Sequence, residues 1–243
     1  MDFSRAFDLD QFTVARLTDD QLRSIVGQVV SVQYKDRQEN QLLYYVPVSE
    51  VAERIHSSGA RYVCVGGGNG ASKTSTLLAH VVALATGIFP EHINPGVREA
   101  WKAQFRGPVN VRIVVESLTT TLEPIIIPML QWWNWSGVDQ PGGERGHWGW
   151  VPRRCLRDGM WVRSWKSEPR ILRVLCFNPD NPGEVMGEST FQFMAHNQEP
   201  SSFASGDFHH VVHDELTTYP IWRENEARSM RVGGKMYMAF TWP

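Results

Sequence analysis

The stretch Gly66–Ser75, GGGNGASKTS, decides how this chain is read. It follows the run RYVCV (Arg61–Val65) and leads into TLLAHVVALATG (Thr76–Gly87). The first flank reads as a short buried strand, and SKTSTLLAHVVALATG as a helix stopped by Gly87. A glycine loop between a strand and a helix is the setting in which the pattern G-x-x-x-x-G-K-[ST] cradles phosphate groups. Gly67, Gly68, Asn69, Gly70, Ala71, Ser72, Lys73 and Thr74 meet every fixed position except one, where Ser72 stands for glycine. Small residues let backbone N–H groups face phosphate oxygens. Lys73 supplies the charge that reaches the β- and γ-phosphates, and the Thr74 hydroxyl, with Ser75 behind it, suits Mg²⁺. A left-handed backbone at Ser72 would cost about 1–2 kcal/mol, a strain that a well-braced site tolerates. The alternative is an ordinary glycine-rich turn.

A second motif narrows the choice. HHVVHDE (His209–Glu215) is an apolar strand that ends in two acids, 141 residues beyond Lys73. In P-loop ATPases an acid at this place holds the Mg²⁺ shell, and a second acid can activate the attacking water. Asp214 is therefore the expected metal-side carboxylate and Glu215 the expected general base. Adjacent residues of a strand face opposite ways, so the two roles separate if the strand ends between them. His209, His210 and His213 do not read as a zinc site: two share a face, the third opposes them, and no cysteine is near.

Around these motifs strands and helices alternate. The Thr18–Gln21 pair predicts a capped helix over TDDQLRSIVGQVV, and VPVSEVAERIHSSGA a second, with Pro47 near its start, Val51 and Ile55 on one face and Gly59 as its stop. VNVRIVVES, RILRVLCF, STFQFMA and KMYMAFTWP read as strands. LTTTLEPIIIPMLQWW and YPIWRENEARSMRVGG read as helices, the former complicated by Pro124 and Pro128. The expected fold is α/β, a P-loop NTPase of the RecA-like type: a mostly parallel sheet with helices on both faces, preceded by a helical lead-in. The expected division is 1–43 for the lead-in and 44–243 for the ATPase domain, with a Trp/Arg-rich insertion over about 132–170.

Composition sets outer bounds. The 243 residues are 42% hydrophobic with a formal charge of −2, which suits a folded domain rather than a disordered chain. Cys64, Cys155 and Cys176 are too far apart for a zinc ribbon or a disulfide framework. The acidic start MDFSRAFDLD lacks an apolar signal core, and no apolar run is long enough to span a bilayer, so no membrane partner is expected. Residues 151–173 carry seven basic side chains (Arg153, Arg154, Arg157, Arg163, Lys166, Arg170, Arg173) against Asp158 and Glu168. Trp132, Trp133, Trp135, Trp148, Trp150, Trp161 and Trp165 lie in or beside that stretch. Bases interleaved with aromatics are one signature of a nucleic-acid surface; a solvated insertion with its own tryptophan core is the other reading.

Taken together, YVPVSEVAERIHSSGARYVCVGGGNGASKT, STFQFMAHNQEPSSFASGDFHHVVHDE and YPIWRENEARSMRVGGKMYMAFTWP resemble the ATPase domain of a large terminase subunit, the motor that packages DNA into tailed-bacteriophage heads. The resemblance covers about residues 44–85 and 188–243. It implies that Lys73 and Thr74 bind ATP and Mg²⁺, that Asp214 holds the metal, that Glu215 is catalytic, and that Thr241 sits in a coupling motif sensing the γ-phosphate. It implies double-stranded DNA, a homo-oligomeric ring on a portal and a small terminase subunit as partners, in the bacterial host cytoplasm on the procapsid. The chain departs from the family at Ser72, at Gly70 (often Arg or Lys), near Ala52 and Glu53 (where an adenine-contacting Gln is usual), and at Ser205 (an arginine acting in trans in some relatives). An arginine from a neighbouring subunit, Arg153, Arg154, Arg157 or Arg163, is expected instead, with Arg228 as an alternative in the same chain. The family's RNase H-like nuclease domain would follow Pro243, so no nuclease activity is expected. Two other readings stay open: a helicase-like motor, and a nucleotide-binding assembly module with little turnover.

Overall fold

A computed structural model of the chain describes residues 18–133, 147–156 and 170–242. Helix α1 spans Asp19–Glu39 and opens with the reciprocal cap the sequence predicts: Thr18 accepts from the Gln21 amide while the Gln21 side chain accepts from the Thr18 amide. Helix α2 is Glu50–Ser57, β1 Tyr62–Gly67, α3 Lys73–Thr86, α4 Pro95–Lys102 and β2 Asn110–Val115. A π-helix, Leu118–Ile126, then runs into the single turn α5, Ile127–Leu130. Two short strands, β3 (Trp132–Trp133) and β4 (His147–Trp148), pair antiparallel. The chain continues with β5 (Arg170–Asn178), β6 (Asn181–Ala195), β7 (His210–Asp214), α6 (Tyr219–Met230) and β8 (Lys235–Thr241).

Six strands form one sheet in the order β1-β8-β7-β2-β6-β5. Neighbours from β1 to β6 are parallel, and β5 returns antiparallel to β6 as a hairpin. The class is therefore α/β with a mostly parallel sheet. Strand alternation sorts its side chains into two cores. Val111, Ile113, Val115, Val212, Tyr237 and Ala239 join the apolar residues of α3. Val114, Val211, Met236 and Met194 pack on the other face with Phe203, Phe208 and Ile221 of α6. Helix α3 is apolar all round, and from Thr76 to Thr86 each of its residues is buried.

Three local expectations are corrected. Strand β1 is an edge strand with only Val65 buried, because no other described strand pairs with its outer side. Helix α2 begins after Ser49, whose hydroxyl accepts from the Ala52 amide, and buries Ala52, Ile55 and His56 while Val51 points to solvent. The helix read over LTTTLEPIIIPMLQWW ends at Leu130, and Trp132–Trp133 form β3 instead; around Pro124 it is π-wound, since a proline has no N–H for the α ladder and the wider turn accommodates its ring. Among the described residues no helix is long and apolar enough to cross a membrane.

Arg112 is a buried cation that sequence reading passed over. It sits mid-strand in β2, fully buried. Its guanidinium donates to Gln192 Oε1 (2.9 Å), Phe203 O (3.0 Å), Asn225 Oδ1 (2.8 Å) and Ser205 O (2.8 Å), and lies 3.9 Å from the centre of the Phe208 ring. Burial lowers its pKa to about 9. Its hydrogen bonds tie the loop before β7 to β2, β6 and α6.

Candidate functional site

In an open α/β sheet, ligands bind beyond the carboxyl ends of the strands. Here the ends of β1, β8 and β7 are adjacent. They deliver, in that order, the glycine loop, Thr241, and Asp214 with Glu215. Helix α3 starts from the loop, so its unpaired first-turn amides point to the same place.

The loop is shaped for an anion. Gly70 (φ 76°) and Ser72 (φ 56°) both adopt left-handed backbone. Of the amides from Asn69 to Ser75, only that of Ala71 finds a protein acceptor, Gly68 O at 3.4 Å. The others are donors without an acceptor among the described residues, gathered at a helix amino end where the dipole favours negative charge. Lys73 Nζ folds back onto Gly67 O (2.8 Å) and Gly68 O (2.9 Å), with Thr241 Oγ1 at 3.4 Å. The Thr74 hydroxyl donates to Asp214 Oδ1 at 2.6 Å.

Strand β7 ends between the two acids. Asp214 is its last residue, whereas Glu215 turns left-handed (φ 78°), a strained backbone for a non-glycine residue. The Glu215 amide still donates to Ala239 O at 2.7 Å. Its carboxylate reaches sideways to β8, accepting from the Thr241 amide at 3.0 Å and from the Thr241 hydroxyl at 2.9 Å. Asn69 Oδ1 is 3.4 Å from the same hydroxyl. Thr241 thus touches the loop, the lysine and the glutamate.

Asp214 is 9% exposed. Burial raises its pKa, opposed by the hydrogen bond from Thr74; the charge of Glu215 raises it, Lys73 lowers it, and Glu116 raises it again. Glu116, directly after β2, is a third acid at this end of the sheet. It carries the same signal as Asp214, an acid ending an apolar strand, and sequence reading did not use it. Trp242 was missed as well: its indole lies over Gly66, where a Cβ would come within 2.6 Å of Nε1. The first glycine of the run therefore makes room for the Trp242 ring, a contact invisible before the strands are assembled.

Other candidates lie elsewhere. Arg228 pairs with Glu224 at 3.5 Å, and its carbonyl accepts from Phe208 ahead of β7, at the far end of the sheet. Arg153 pairs with Glu39 at 3.1 Å, and Arg154 lies over the Phe177 ring. Arg157, Arg163, Lys166, Trp135, Trp161 and Trp165 fall outside the described residues. His213 packs beside Trp222 and Asn225, and His210 meets Tyr237 on the opposite face. Among the described residues no group of three or more His, Cys, Asp or Glu side chains is placed to hold a metal ion. Neither a protein-family model nor a curated relative matches the chain.

Proposed function

We propose that the chain is a P-loop ATPase core that hydrolyses ATP and couples turnover to the movement of double-stranded DNA, in the manner of a large terminase. The observation that supports hydrolysis is the meeting of Lys73, Thr74, Asp214, Glu215 and Thr241 at three adjacent strand ends, with the Thr74 hydroxyl on Asp214. DNA, a portal-bound ring, a small terminase partner and the procapsid of a bacterial host rest on the sequence resemblance.

The residues fit Mg²⁺·ATP. The unpaired amides and Lys73 suit the phosphate chain, and the Thr74 hydroxyl with the Asp214 carboxylate suits a hydrated Mg²⁺, which keeps most of its ligands as water and phosphate oxygen. When bound, that cation offsets negative charge on the phosphate oxygens. Lys73 exchanges its contacts with Gly67 O and Gly68 O for the phosphates. Glu215 takes a proton from the attacking water. Thr241, which now holds both oxygens of that carboxylate, sets where it points.

ATP affinity and turnover of the purified chain test the reading. Lys73→Ala is expected to weaken ATP binding clearly, and Glu215→Gln to lower turnover about 10²–10⁴-fold with binding largely kept. ATP binding unchanged by Lys73→Ala would overturn the assignment of the loop. One observation favours a second reading, a nucleotide-binding module with little turnover: Glu215 is held by Thr241 rather than turned to solvent. Tight ATP binding with no hydrolysis, with or without DNA, would select it.

A further inference from the structure

A cavity lies at the opposite end of the sheet. It opens where β7 and β8 begin, has a volume of about 210 Å³, and is lined by Gln104, Arg106, His209, His210, Gly233 and Lys235. Strand β8 runs from Lys235 to Thr241, so about 20 Å separates this cavity from the glycine loop.

Every titratable side chain in that wall is a base. Lys235 Nζ is fixed by Ser58 O (2.9 Å) and Gln104 Oε1 (2.7 Å), which leaves one of its three N–H donors. Arg106 Nη1 donates to Val232 O and Gly233 O, each at 3.4 Å, and its other donors meet no acceptor among the described residues. Among the described residues neither cation forms an ion pair; the nearby carboxylate, Asp207, pairs with Arg231 at 3.5 Å. His209 Nδ1 accepts from the Asn110 amide at 3.0 Å, so its neutral ring carries the proton on Nε2. Burial and the charge of Arg106 both lower the pKa of Lys235, the mark of positive charges brought together without a counter-ion.

His210 adds a donor whose direction is set from behind. Its Nδ1 lies 3.3 Å from Tyr237 Oη, leaving Nε2 for the cavity. Tyr237 Oη lies 3.1 Å from His80 Nε2, His80 Nδ1 3.2 Å from His56 Nδ1, and His56 Nε2 2.8 Å from Tyr45 Oη. Two facing Nδ1 atoms need one donor and one acceptor, and a series in which each group donates to the next satisfies every link of this buried chain. When that series runs from Tyr45 towards His210, His210 Nε2 carries a proton and donates into the cavity.

The geometry points to a second, small-anion site at the amino ends of β7 and β8, in which Arg106, Lys235, His209 and His210 hold the phosphoryl group of inorganic phosphate or a small phosphomonoester. Planar and point cations with neutral N–H donors are the set that binds phosphate oxygens. The volume lies below the roughly 300–1,000 Å³ of sites for drug-sized ligands, which suits a phosphoryl group.

Histidine-ring NMR of the full chain, titrated with inorganic phosphate at constant ionic strength, tests the site. Saturable shifts of the His209 and His210 rings are expected. Arg106→Gln, a change at an exposed side chain, should weaken that titration about tenfold or more. Lys73→Ala should leave it unchanged. Equal shifts with chloride, no saturation, or shifts retained in Arg106→Gln and lost in Lys73→Ala would each overturn the proposal.

Discussion

Ser72 shows how one residue sets local energetics at the site. It holds φ at 56°, where glycine is at ease and serine is not, and its carbonyl accepts the first α3 hydrogen bond, from Thr76 at 2.9 Å. Ser72→Gly removes Cβ crowding but loosens the unfolded chain, and the first effect is the larger. A gain of about 1 kcal/mol in urea-unfolding stability is expected, with ATP binding kept or improved; a loss of stability would show that the serine hydroxyl holds the loop. Thr241 is tested by activity instead. Thr241→Val deletes the hydroxyl on Glu215 Oε1 and leaves the amide on Oε2. Hydrogen bonds to a charged group are worth about 1.5–3 kcal/mol, so kcat is expected to fall about tenfold or more with KM little changed. A rise in kcat would mean that Thr241 restrains the glutamate rather than aiming it.

At the scale of elements, α3 joins the two ends of the molecule's chemistry. It begins at Lys73 and Thr74, carries His80 at its middle, and stops at Gly87. That stop is not a matter of propensity alone. Gly87 is left-handed (φ 70°), and a Cβ there would lie 1.9 Å from the Phe177 carbonyl of β5. Backbone oxygen cannot step aside as a side chain could. Gly87→Ala is expected to cost at least about 2 kcal/mol, the left-handed penalty plus the displacement of β5, read as a lower urea midpoint. A cost below about 0.5 kcal/mol would show that β5 moves freely against α3.

At the scale of the whole molecule, buried histidines tie stability to pH. Burial lowers His56, His210 and His213 from 6.5 to about 3, and His80 well below 6.5. His56 also stacks on Trp101, with ring centres 3.9 Å apart. A base whose folded pKa is depressed binds fewer protons folded than unfolded. Its contribution is complete above pH 6.5 and is lost as pH falls towards 3. Each such group removes up to about 1.4 kcal/mol per pH unit in that window. Against a total stability of about 5–15 kcal/mol, several acting together should unfold the protein cooperatively between about pH 6 and pH 4. Circular dichroism against pH, with urea midpoints at a few values, measures this. His80→Phe is expected to shift the transition to lower pH; an acid midpoint unmoved by it would assign the transition to other groups.

The sequence by itself determined the local pieces. A strand, a glycine loop and an apolar helix follow from periodicity and from where glycine falls. The Thr18–Gln21 cap follows from spacing. These features depend on residues within a few positions of one another. Tertiary structure decided what depends on residues far apart in the chain. It put β1 at the sheet edge although RYVCV is apolar, because strand order is set by pairing partners 170 or more residues away. It placed Thr241 on Glu215, Trp242 over Gly66 and Glu116 near Asp214, since parallel strands align ends that the sequence separates. It buried Arg112 and four histidines, which the sequence presents as ordinary polar residues. Whether such a group is a solvated charge or a neutral link in a core depends on what packs against both faces of the sheet.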